Sequence, residues 1–227
     1  MTEFANKKRA TATVALTLLC CAAMAVAEIF LVPSYILKSA IKLTLFLLCP
    51  LVFSFICRDS LKPLFIPSKK GLLISVGIGL AVFSLILGGY FLLRGVFDFS
   101  SITDALVSDA GVDRDSFVFI SIYISLVNSM LEEFFFRGFA FLRLKNSATR
   151  LFAYIFSAAS FSVYHVAMMI GWFSPILFAL VMLGLFVGGL IFNYFNEKFG
   201  NIYASWMIHL FANLAINTIG MILFGII

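Results

Sequence analysis

Charge is what this chain has least of. Only 12% of its 227 residues are Asp, Glu, Lys or Arg, against 63% hydrophobic ones, and the mean hydropathy is +1.10. A soluble domain of this length carries about twice that charge, so these residues cannot clothe a water-facing surface. The composition excludes a soluble globular protein. Cysteine spacing excludes more: Cys20, Cys21, Cys49 and Cys57 fall inside apolar runs with no CxxC or metal-type interval, and they read as packing residues. GxSxG and HExxH are both absent, which removes the usual serine-hydrolase elbow and zinc-protease helix. There is no internal repeat, low-complexity stretch or second domain, so residues 1–227 are read as one integral membrane domain.

What remains is apolar runs long enough to cross a bilayer, each needing about 20 residues. They lie at 10–31, 35–57, 71–97, 117–142, 151–170, 175–195 and 202–227. The fold expected is all-α, a polytopic transmembrane helix bundle of about seven spans, with six to eight as the range. The 28 phenylalanines are read as lipid-facing and inter-helix filling, and the GxxxG of Gly184 and Gly188 as a helix-packing device.

The net charge of +5 does not point to nucleic acid, because the basic residues cluster at the ends of the apolar runs. Lys7, Lys8 and Arg9 precede the first span. Arg58, Lys62, Lys69 and Lys70 follow the second, and Arg143, Lys145 and Arg150 fill the loop after the fourth. If every span crosses, these fall on one side, and that side is expected to be cytoplasmic, with the N-terminus. The longest loop, on the other side, carries Asp98, Asp104, Asp109, Asp113 and Asp115. Lys38 and Lys42 are then expected to snorkel from the outer end of span two. The start of the chain resembles a signal peptide, with small residues before Glu28, but its apolar stretch exceeds most signal cores and is read as a retained span.

Against this background Glu132 and Glu133, adjacent within an apolar run, stand out. Each carboxylate near a bilayer centre costs about 3 kcal/mol or more, so the pair requires partners or a watery cavity. The chain's two histidines, His165 and His209, also lie within spans. At 1.5 Å per residue, Glu132, His165, His209 and Asn213 fall about 15, 20, 10 and 17 Å from the basic ends of their helices. Polar groups at shared depth on three helices have strong reason to meet. His209 and Asn213 share a face at i,i+4; Glu133 and Arg137 are spaced for a salt bridge; Glu132 is turned about 100° from Glu133, so one acid is expected to act and the other to brace. Spacing alone does not say which.

Glu132-Glu133-x-x-x-Arg137, Phe161-x-x-x-His165 and His209-x-x-x-Asn213, in that order on successive helices, resemble the CPBP family of intramembrane proteases, which takes in the CAAX prenyl endopeptidases and the bacteriocin-processing or self-immunity proteins of the Abi group. The resemblance covers about 117–227 and implies a peptidase. It makes Glu132 the base that activates water, with His165 holding that water. His209 and Asn213 become the oxyanion donors, and Glu133, Arg137 and Phe161 supporting residues. Amide hydrolysis by direct water attack needs such parts. It implies no cofactor; zinc is the alternative, since two histidines and a glutamate can form a ligand set. Implied partners are the lipid bilayer and a membrane-associated peptide or lipidated protein, and the implied location is a bacterial cell membrane. A non-catalytic scaffold or immunity protein is the alternative function. An ion-coupled carrier is disfavoured by the absence of an inverted repeat.

Overall fold

The computed structural model describes residues 3–31 and 34–227, with the side chains of residues 3–5, 109 and 110 outside the description. It is helical throughout, with no strand among the described residues. Seven helices there are long and apolar enough to cross a membrane: α1 (Asn6–Leu31), α2 (Tyr35–Ile56), α3 (Lys69–Leu93), α5 (Arg114–Ser147), α6 (Arg150–Met169), α7 (Pro175–Phe199) and α8 (Tyr203–Leu223). A short helix, α4 (Ser100–Ala110), occupies part of the long acidic loop.

Local chemistry sets several boundaries. Asp113 opens α5 with a capping box, accepting the Ser116 N–H at 2.9 Å while the Ser116 hydroxyl receives the Asp113 N–H. Hydrogen bonding to Ser116 holds the Asp113 carboxyl below its ordinary pKa. Gly200 ends α7 at φ +70, a left-handed cap that glycine adopts without steric cost. The expected loop after span four is shorter than the charge pattern implied: Arg143 and Lys145 sit on the last turns of α5, and Arg150 starts α6. Acids from elsewhere in the bundle face these bases. Asp59 pairs with Arg9 and Arg143, and Glu197 with Lys145 and Arg150, at 3.4 and 2.8 Å. The pairs join the ends of α1, α2, α5, α6 and α7 and gather the basic residues at one end of the bundle.

The interior is aromatic. Phe46 stacks on Phe135 at 4.1 Å and meets Phe136 and Tyr164 edge-on or tilted, tying α2 to α5 and α6. The expected GxxxG contact is not made: a Cβ at Gly184 or Gly188 would meet nothing within 4 Å. Their neighbour Gly189 forms the close approach instead, where a Cβ would lie 3.0 Å from the Ala158 Cα and 3.3 Å from the Arg137 guanidinium. The packing face of α7 is rotated by one residue from the motif, toward Ala158 of α6.

Candidate active site

Helix α5 carries the acids, and its backbone departs from α geometry on both sides of them. Ile124–Asn128 and Glu133–Phe141 are wound as π-helix, leaving Ser129–Glu132 as a short α turn between. Such insertions loosen the 100° step per residue and recur at functional sites. Polar side chains of α8 bind the widened turns. Asn213 donates to the Ile124 carbonyl at 3.3 Å, Asn217 donates to the Ser121 carbonyl at 3.1 Å and the Ser125 hydroxyl at 2.9 Å, and Trp206 donates to the Ser129 hydroxyl at 3.0 Å. In an apolar medium these bonds fix α8 against α5, since the backbone acceptors have no water to turn to.

Glu132 is 1% exposed, and its two oxygens have different neighbours. Oε1 accepts from the Lys42 ammonium at 2.5 Å and the Asn128 amide at 3.1 Å. Oε2 faces two imidazoles, His209 Nε2 at 3.7 Å and His165 Nε2 at 3.9 Å, from α8 and α6. Each imidazole is fixed through its other nitrogen. His165 Nδ1 lies 2.7 Å from the Phe161 carbonyl, which can only accept, so that nitrogen carries the proton. His209 Nδ1 lies 2.9 Å from Glu133 Oε1.

Glu133 and Arg137 make the expected pair, with Nη1 to Oε1 at 3.2 Å, and both are 0% exposed. The guanidinium rests over the Phe161 ring at 4.1 Å and the Phe192 ring at 4.8 Å. Phe161 therefore serves twice, orienting His165 through its carbonyl and flanking Arg137 with its ring. Two buried acids are matched by two buried bases, Lys42 for Glu132 and Arg137 for Glu133.

Glu132, His165 and His209 meet as their depths suggested, and Glu133, Phe161 and Arg137 join them in one connected cluster. The two carboxylates stay apart on opposite nitrogens of the His209 ring, with Nε2 toward Glu132 and Nδ1 toward Glu133. Two expectations change. Asn213 shares the face of His209, but the amide donor described for it goes to the Ile124 carbonyl, one turn further along α8. Lys42 does not snorkel; it is 5% exposed and turned into the bundle, while Lys38 pairs with Glu28 at 2.7 Å. Lys42 and Asn128 were missed in the sequence. A lysine within an apolar span, and an asparagine four residues before Glu132, were the signals available.

Residues 114–215 match the family described as Type II CAAX prenyl endopeptidase Rce1-like. Over that segment the chain is Rce1-like. The Rce1-like segment contains the acids of α5, both histidines and Asn213, and it is similar to peptidases of the CAAX intramembrane type. No curated protein and no solved structure matches the chain. Lys42, on α2, lies outside the Rce1-like segment.

Zinc can be weighed on the same geometry. Tetrahedral bonds of about 2.0–2.1 Å set ligand atoms about 3.4 Å apart. The separations at Oε2 are 3.7 and 3.9 Å, and among the described residues no group of three or more His, Cys, Asp or Glu is arranged to hold a metal ion. The Lys42 ammonium already places a cation on the one carboxylate that could join both histidines.

Proposed function

We propose that this protein is a glutamate-dependent intramembrane endopeptidase, in which Glu132 activates a water molecule for attack on a peptide bond of a membrane-associated substrate. The arrangement at Glu132 Oε2 carries the reading: two imidazole nitrogens from different helices stand 3.7 and 3.9 Å away, beyond direct hydrogen bonding but within the span that one bridging water covers. A water there touches the base and is oriented by His165, whose Nε2 is the accepting nitrogen of a ring protonated at Nδ1.

Glu132 takes the proton as the water oxygen bonds to the scissile carbonyl carbon. The charge that develops on the carbonyl oxygen is met by donors from α8. Asn213 has a second amide N–H besides the one given to Ile124, and His209 donates from Nε2 when both of its nitrogens carry protons, with Glu133 as the facing countercharge. The proton held by Glu132 then passes to the departing amine, and the amide C–N bond breaks. Glu133 and Arg137 keep the His209 ring in place.

The substrates proposed are the C-terminal segments of lipidated proteins of the CAAX type, or leader and bacteriocin-like peptides, and the basic end of the bundle is assigned to the cytoplasmic side. The test is to incubate detergent-purified protein with a farnesylated CAAX peptide and an unlipidated leader-like peptide and to read the products by mass spectrometry. Cleavage of either by the native chain, lost in Glu132→Gln with the fold retained, is the expected result. Undiminished cleavage by Glu132→Gln removes Glu132 as the base. A cellular phenotype that persists in Glu132→Gln and His165→Ala assigns the protein a binding role instead.

A further inference from the structure

Lysine is costly to bury in a membrane protein, and it has an alternative when near a helix end: its stem lies along apolar surface while the ammonium reaches the interface. Lys42 sits seven residues into α2, about 10 Å from that helix's start at Tyr35. That distance permits snorkelling, yet Lys42 is 5% exposed and points inward. Joining α1 to α2 does not require it, since Lys38 and Glu28 already do so at 2.7 Å.

Its contacts are specific. The ammonium donates to Asn128 Oδ1 and Glu132 Oε1, both at 2.5 Å, and these acceptors are one helical turn apart on α5. Asn128 also donates to the same Glu132 oxygen at 3.1 Å, closing a triangle of three side chains. The ammonium lies 5.1 Å from the Tyr164 ring and 5.7 Å from the Phe46 ring, and Phe46 is itself held by its stack on Phe135. A glutamate side chain can exchange its two oxygens by rotating its terminal torsion. Two donors on Oε1 oppose that rotation and leave Oε2 as the oxygen toward His165 and His209.

We propose that Lys42 is a positioning residue of the active site, contributed from outside the Rce1-like segment, which with Asn128 holds Oε1 of Glu132 so that Oε2 is presented to the two histidines. The first helices of the chain are then part of the catalytic apparatus as well as membrane anchors. Lys42 acts through Glu132 and takes no part in bond making. This inference rests on the assignment of Glu132 as base.

The experiment is steady-state kinetics of the full-length protein in detergent on a peptide the native chain cleaves, comparing Lys42→Met, Asn128→Ala and Glu132→Gln. A base displaced by about 1 Å costs on the order of 100-fold, so kcat of Lys42→Met falls about 10- to 100-fold while KM stays within about threefold. A merely structural lysine would change the yield of folded protein and leave kcat per folded molecule untouched. Wild-type kcat in monodisperse Lys42→Met overturns the proposal. If that variant does not fold, Asn128→Ala decides, because it removes half of the anchor without leaving a charge unpaired. A fall in kcat of about fivefold or more at unchanged KM supports the proposal, and wild-type kcat overturns it. Glu132→Gln separates the two levels of the argument. If it remains active, the base assignment fails. If it is inactive while Lys42→Met keeps wild-type kcat, only the role of Lys42 fails.

Discussion

Replacing Arg137 with methionine strips the Glu133 carboxylate of its cation in a position with no access to solvent. Both residues are 0% exposed and 3.2 Å apart, and after the substitution the carboxylate retains only His209 Nδ1, at 2.9 Å. Breaking a buried pair by removing one partner costs about 3–5 kcal/mol, because the remaining charge stays desolvated. The guanidinium also leaves the Phe161 and Phe192 faces, at 4.1 and 4.8 Å, a desolvated cation–π contribution of about 2 kcal/mol that the methionine thioether only partly replaces. At about 2–4 °C per kcal/mol for a chain of this size, the ion-pair loss alone corresponds to a fall in Tm of about 6–20 °C. Thermal unfolding in detergent, followed by intrinsic fluorescence, reads it. The double variant Arg137→Met/Glu133→Gln removes the stranded charge along with its partner, so it is expected to recover much of that Tm. An unchanged Tm in Arg137→Met, or a double variant less stable than the single one, refutes the reasoning that this pair is held by mutual neutralisation.

Other consequences follow from other parts of the structure. Gly189→Ala places a Cβ 3.0 Å from the Ala158 backbone and 3.3 Å from Arg137, so α6 and α7 must separate, at about 1–3 kcal/mol, read as a lowered Tm. Gly188→Ala, which meets nothing within 4 Å, is expected to leave Tm unchanged. Asn217→Ala removes the donor to Ser121 and Ser125 and is expected to destabilise by about 0.6–2 kcal/mol in the same assay. The Asp113 cap depends on pH in a definite direction. Its folded pKa lies below the ordinary value of 3.8, so its contribution is present above that value and is lost as pH falls through the lowered one. Hydrogen exchange at the Ser116 amide should show less protection at that end of α5 in strong acid. Elemental analysis of the purified protein is expected to find zinc well below one equivalent, and activity is expected to survive chelators; stoichiometric zinc would contradict the geometry at Oε2.

Much of the site was legible because membrane burial makes every polar residue informative. Glu132, Glu133, His165 and His209 were visible as polar groups at shared depth, and the i,i+4 spacing of Glu133 and Arg137 carried its salt bridge directly. The spans were legible for the same reason, since their hydropathy is a property of local composition. What local composition does not hold is the contact between distant segments. Lys42 reaches an acid ninety positions later, and the sequence offers two lysines on α2 without saying that Lys38 meets Glu28 while Lys42 turns inward. The helical wheel places Glu132 and Glu133 on different faces, but it does not hold the His209 ring from a distant helix, which is wide enough to address both. Gly184 and Gly188 carried a packing motif, but the close approach falls at Gly189, against Ala158 and Arg137 of distant segments.

The most direct test of the account is a kinetic comparison of Glu132→Gln, His165→Ala and the double variant, with kcat measured on one cleavable peptide at saturating concentration. If both residues act on a single water, each single variant loses about 1000-fold or more and the double loses no more than the worse of the two, since groups that act as a unit are strongly non-additive. Losses that multiply, or a Glu132→Gln protein that turns over at the native rate, would contradict the claim that Glu132 Oε2 and His165 serve the same attacking oxygen.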